Sequence, residues 1–569
     1  MARYSLLLFV ALLLASPLCV LAQTSSEVPQ STTASSDIEQ LKAQMNAQQK
    51  LLEKQQSHIQ ALESALAEQQ QVILGVVQKG AGSAQYTPAV DRTVDLRAGD
   101  NSFQTPQEPP AQPVQPPEDL TLEQQEAQQD VLQRGPEIAD PKPDTPALKL
   151  GPAKLRFLGY PSMTALWRST NSGGNVGTSF GSLPFGNAWQ GNTSEFRISP
   201  QSTRLALRAD LSVGDTKAAG YVEMDFAGSP NPGNVAVTSS SYSFRLRQAF
   251  FDWQPGKWDF TGGQAFSLMT PLKKGITPWP GDVATAQTID TNYVPGQVYG
   301  RYPQFRISHA PYKGFWWGFS IENPEQQVAS NVTFPANLNS IVSNQYNTGG
   351  QELKVPNLMP DFVLKGVFDG KMSNGNAIHF DLGVVMRSFR STANSKDVSS
   401  HDYAFGWGIG PNFSVEVAKG YRLVLQGFLS DGAGRYIGGL VPDVIVKPNG
   451  DISPIHAYAW VTGLEVAPNK ATGFYAYYSG NYAQKNAALN SDGTCCIGFG
   501  GPGSSLTPDR YIQEVTGGWS RVLWKFENVG SVQYGVQYGY AWLAAWVPQS
   551  GVSSAHANMI FGQFRYNLP

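Results

Sequence analysis

Along RLALRADL, Arg204 to Leu211, the residues Leu205, Leu207, Ala209 and Leu211 alternate with Arg204, Ala206, Arg208 and Asp210. A period of two puts these sets on opposite faces of a strand. One face is wholly apolar; the other carries two guanidinium groups and a carboxylate. Val222, Met224 and Phe226 oppose Glu223 and Asp225 in the same way, and Leu423 and Leu425 oppose Arg422 and Gln426. From Lys149 to the last residue, about sixteen segments of roughly ten residues repeat this pattern, which predicts a succession of strands.

The connections between the segments carry further information. SVGDT, QPGK, APYKG, DGKMSNGN, AKG, APNK and ENVG are tight. Between them fall long connections at 170–193, 228–242, 270–297, 324–359, 391–402, 431–454, 483–509 and 547–556. Alternation of short and long connections is expected of a membrane barrel with short periplasmic turns and long external loops. Trp167, Trp253, Trp258, Trp524 and Trp546 near segment ends suit interfacial girdles. The expected fold is an all-β transmembrane barrel of about 16 antiparallel strands, wide enough for a water-filled lumen. The leucine face then meets lipid and the arginine face meets water.

Before Lys149 the pattern is different. MARYSLLLFVALLLASPLCVLAQ reads as a secretory signal peptide, residues 1–22, cleaved after Ala22. Leu18 before Cys19 is too bulky for lipoprotein processing. Ile38, Met45, Leu52, Ile59, Leu66 and Ile73 then fall every seven residues, with Leu41, Gln48, Gln55, Leu62, Gln69 and Val76 between them. Ser36 and Glu39 form a capping box. This predicts a coiled coil over 36–79, about 55–60 Å long. Repeated Gln in the seam favours three strands over two. Residues 80–148, rich in Pro and Gln, cannot bury a core and read as a disordered tether, leaving 149–569 as the barrel domain.

Net charge is −3 and only 15% of the 569 residues are charged, which offers nothing to nucleic acid. Cys495 and Cys496 are adjacent, so they read as a vicinal disulfide or two loop thiols rather than a metal site. No HExxH, GxSxG or glycine-rich phosphate loop is present, so neither enzyme chemistry nor a cofactor is expected. By alternation the inward positions include Arg204, Arg208, Arg245, Arg247 and Arg306, opposed by Glu223 and Asp225. Guanidinium groups stacked on one wall offer bidentate sites for carboxylate or phosphate. The other reading is that the acids pair with these arginines and merely solvate the wall. The third long connection, TPLKKGITPWPGDVATAQTIDTNYVPG, carries Lys273, Lys274, Asp282 and Asp290 and is the candidate constriction loop.

In STRLALRADL, GYVEMDFAG, FRLRQAFFDW, GGQAFSLM and QTIDTNYVPG, following a heptad helix and a proline-rich tether, the chain resembles the DcaP-like outer-membrane porins of Gram-negative bacteria. The resemblance implies a homotrimer in the outer membrane, in contact with lipid and lipopolysaccharide, with its coiled coil in the periplasm. It also implies passive uptake of small anions, dicarboxylates among them, past Arg204, Arg208, Arg245 and Arg247. The C-terminal Tyr566-Asn567-Leu568-Pro569 departs from the terminal aromatic usual in such barrels. Two other readings are a phosphate-selective porin and a tether between outer membrane and peptidoglycan with an incidental pore.

Overall fold

The computed structural model describes residues 137–138, 141 and 145–569, apart from 173–174, 229–239, 241, 286, 329–331, 349–354, 395–397, 440, 503–508, 527 and 550. The chain divides into two units, Met1–Val114 and Gln115–Pro569, and every described residue belongs to the second. The signal peptide and coiled coil expected from the sequence lie outside the described residues.

Among the described residues, one sheet of 19 strands dominates the second unit. Nearly every strand pairs antiparallel with its neighbour in sequence. Arg204–Val213 pairs with Thr216–Asp225, which pairs with Arg245–Pro255 and so on through Trp258–Phe266, Arg301–Tyr312 and Phe315–Glu322. The last strand, Val552–Asn567, returns to Ser162–Arg168 near the start, Met559 opposite Arg168 and Arg565 opposite Ser162. The Ala153–Tyr160 strand pairs on its other side with Arg204–Val213. Gly159 makes that junction possible. Its φ is +122°, and a Cβ there would stand 2.2 Å from the Arg204 carbonyl oxygen.

The two faces of the sheet differ as the alternation predicts. In Arg204–Val213 and its neighbour, Arg204, Ala206, Glu223 and Asp225 are buried while Leu205, Leu207 and Val222 are exposed. Phe157 and Phe305, 69% and 72% exposed, belong to the same outer apolar surface. Large apolar side chains in the open are unfavourable in water but natural against hydrocarbon. Tight turns close several hairpins on two residues. Gly214 and Gly256 supply the positive φ such turns need, +58° and +66°.

Three expectations need correcting. The connections expected as long at 391–402 and 547–556 are hairpins, because Ala377–Asn394 continues almost to Ser399–Ala418 and Gly530–Gln549 almost to Val552–Asn567. The strict alternation of short and long therefore fails at two places. Trp546 is not an exposed girdle residue: its indole N–H donates to the Ala483 carbonyl at 2.9 Å and it packs against a buried cluster. Finally, Glu137 and Ile138 lie within the stretch read as a plain tether, yet both are buried.

Candidate functional site

The stretch 267–300, which follows Trp258–Phe266, is largely buried against the inner face of the sheet. Polar groups of the wall hold it along its length. The Leu268 N–H donates to Glu322 at 2.8 Å, and the Gly275 N–H to Asp369 at 2.8 Å. The Lys365 amine donates to the Thr270 carbonyl and the Asn412 amide to the Leu272 carbonyl. Farther on, three donors converge on one oxygen of Gln537: the Ile289 N–H at 2.5 Å, the Asp290 N–H at 3.1 Å and the Tyr475 hydroxyl at 2.9 Å. Glu322 and Gln537 belong to strands far apart in the pairing order, so the segment runs from one part of the wall to another.

The four charged residues expected on this loop behave differently. Lys274 is exposed and sits 3.5 Å from Asp282, which also accepts from the Thr277 hydroxyl at 2.6 Å. Lys273 donates to the Gly281 carbonyl at 3.2 Å. Burial of its amine, reinforced by Arg422 and Lys274 and opposed by Glu465 and Asp282, pushes its pKa down to about 8. Asp290 is fully buried and accepts from the Thr178 and Asn292 N–H groups. Burial pushes its carboxyl up, against the pull of Arg168 and those hydrogen bonds.

Of the five arginines expected on one wall, three are brought together by shared carboxylates, Arg204, Arg245 and Arg247. Arg204 lies 2.7 Å and Arg247 3.0 Å from the same oxygen of Glu137. Arg247 also pairs with Glu223 and, at 3.1 Å, with Asp225. Arg245 engages Asp225 with two hydrogen bonds, at 3.0 and 2.7 Å. Arg208 is set apart, bonded to Asp210 at 2.9 Å and stacked 3.6 Å over the Trp279 ring. Arg306 meets neutral oxygens, those of Gln304, Phe266 and Thr277, and so fastens the base of the inward segment. Glu223 and Asp225 thus pair with the arginines.

Beside this cluster is a cavity of about 790 Å³. Arg301, Arg435, Asn292, Asn323, Tyr302 and Asp509 are among its lining residues. Arg435 stacks 4.0 Å over Tyr302 and approaches Asp361 at 3.5 Å. Arg301 rests 5.8 Å over the Phe266 ring, and among the described residues no carboxylate lies within ion-pair distance of it. Sequence reasoning missed Arg301, Arg435 and Glu137. Arg301 shares its parity with the exposed Phe305, but it opens its strand, where alternation lapses. Arg435 lies in a connection and Glu137 among prolines, where no period marks a face.

No family model matches the sequence, and no curated protein does. Solved structures do. The outer membrane channel DcaP of Acinetobacter baumannii aligns over 74% of this chain and 99% of that one, with 16% identity and a TM-score of 0.54. Looser alignments include OmpT of Vibrio cholerae, with 11% identity over 74% of this chain and 100% of that one, TM-score 0.38. An anion-selective porin from Comamonas acidovorans aligns at 10% identity over 73% and 100%, TM-score 0.41. The likeness to DcaP shows the fold alone: the strand-rich part of this chain is folded like that outer membrane channel.

Proposed function

We propose that the protein is an outer-membrane porin through which small hydrophilic solutes diffuse passively, with a preference for anions. The nineteen strands reduce to sixteen staves once two interrupted pairs, Ala153–Tyr160 with Ser162–Arg168 and Glu195–Ser199 with Arg204–Val213, are merged and the Leu148–Leu150 arm is set aside. The pairing of the last stave with the first supports closure into a barrel wide enough to hold water. The exposed apolar face supports its placement in a lipid bilayer, and the 267–300 segment is the constriction.

The observation that carries the anion preference is Arg301. It lines the cavity without a carboxylate partner among the described residues, whereas Arg204, Arg208, Arg245 and Arg247 are matched by acids. An unmatched guanidinium in a narrow aqueous space attracts carboxylates and repels cations. Phosphate selectivity calls for basic groups crowded together without acids, and the interspersed carboxylates speak for broader anion passage, dicarboxylates included. The heptads of 36–79 support a homotrimer.

Liposome swelling tests this reading. Proteoliposomes should admit succinate faster than a cationic solute of similar size. Equal rates would remove the anion preference, and no swelling with any small solute would remove the pore.

A further inference from the structure

The carboxylate between Arg204 and Arg247 does not come from the barrel wall. Glu137 precedes the first described strand, Leu148–Leu150, and lies in the proline-rich stretch. Its side chain is 3% exposed. It accepts hydrogen bonds from Arg247 and from the hydroxyl of Tyr293, which belongs to the inward segment, and forms an ion pair with Arg204. Ile138 next to it is buried with Tyr160, Ala206, Tyr221, Phe250 and Trp279. Two residues of the stretch are therefore seated, one by charge and one by apolar packing.

The charges of this cluster identify what Glu137 does. Arg204, Arg245 and Arg247 face Glu137, Glu223 and Asp225, so three cations meet three anions. The wall alone supplies three cations and two anions. Without Glu137, Arg204 keeps only Glu223 among the described residues, at 3.9 Å. The vacated place would be one positive charge in excess, flanked by two guanidinium groups and a tyrosine hydroxyl. That set of donors suits a carboxylate. The second oxygen of Glu137 and both terminal nitrogens of Arg204 are buried and make no hydrogen bond among the described residues, so the site has binding capacity that one glutamate does not exhaust. Burial opposes ionisation of Glu137, yet Arg204 and Arg247 hold its carboxyl down at about 2, so it remains an anion.

We propose that Arg204, Arg247 and Tyr293 form a carboxylate-binding subsite of the pore and that Glu137 is its tethered occupant, which a carboxylate solute must displace. The assignment rests on the porin reading. A tethered group acts at an effective concentration in the millimolar range, so it raises the solute concentration needed for occupancy without abolishing it.

The experiment is planar-bilayer recording of the full-length protein with succinate as probe. Succinate should block wild-type current, and Glu137→Gln should lower the half-blocking concentration about tenfold, the factor for a tethered competitor whose effective concentration is about ten times its own dissociation constant. Its reversal potential in a salt gradient should also move toward anions. Ile138→Ser, which loosens the anchor and leaves every charge in place, should act in the same direction. Unchanged block and reversal potential in both variants would overturn the assignment while leaving the pore intact. Absence of any wild-type channel would overturn the porin reading and the subsite with it.

Discussion

At the scale of single residues, the lumen is a problem of compensation. A buried charge is costly unless it is paired, and removing one partner from a buried pair typically costs about 3–5 kcal/mol. Arg387, bonded to Asp361 at 3.0 Å and Asp443 at 2.8 Å, shows the pairing that most of the buried arginines reach. Arg301 departs from that rule, and the account puts selectivity there. Arg301→Gln should lower the anion-to-cation permeability ratio about fivefold, on the order of 1 kcal/mol for one unit charge near a permeating ion. Zero-current potentials in a potassium chloride gradient measure it. Lys273 gives a pH dependence. Its amine is charged below about 8 and neutral above, with Arg422, Lys274, Glu465 and Asp282 around it. Raising the pH from 7 to 9 therefore removes a positive charge from the inward segment, and anion preference should fall. Lys273→Met should flatten that profile; a profile of the same slope in the variant would place the titration elsewhere.

At the scale of elements, two joints hold the arrangement. Gly159 allows Ala153–Tyr160 to lie against the Arg204 strand. In Gly159→Ala the new Cβ would meet a backbone oxygen at 2.2 Å, at a φ that alone costs alanine roughly 1–3 kcal/mol. A lower thermal midpoint of the folded protein in detergent should follow. Gln537 is the second joint. Gln537→Ala strips a shared acceptor from the Ile289 and Asp290 N–H groups, at about 1–3 kcal/mol for each buried donor left unsatisfied. Noisier open-channel current is expected, because the far part of the inward segment is released. Quiet channels would mean that other contacts hold it.

The strands were legible in the sequence because an apolar outer face and a polar inner face impose a period of two, as in Arg204–Val213. Their ends were less so. In Ser399–Ala418 the first residues, SSHDY, are polar on both faces, and a strand beyond the apolar zone loses the contrast that marks it. The charged wall positions could be assigned by parity, but parity does not say which charges meet. The union of Arg204 and Arg247 depends on Glu137, 67 and 110 residues away in sequence in a stretch without periodicity. Arg301 and Arg435 were hidden for the same reason, one at a strand end and one in a connection.

At the scale of the whole molecule, an apolar outer face, a segment folded into the interior and a lining of mostly paired charges come together, with Arg301 beside the cavity lacking a carboxylate partner among the described residues. The net charge of −3 says nothing of this, since selectivity is set by the few groups beside the path and not by the total. The most direct test is the reversal potential of single channels formed by the full-length protein across a potassium chloride gradient. Stepwise openings in groups of three, with a reversal potential on the chloride side of zero, are expected. Openings that reverse on the potassium side would contradict the anion preference.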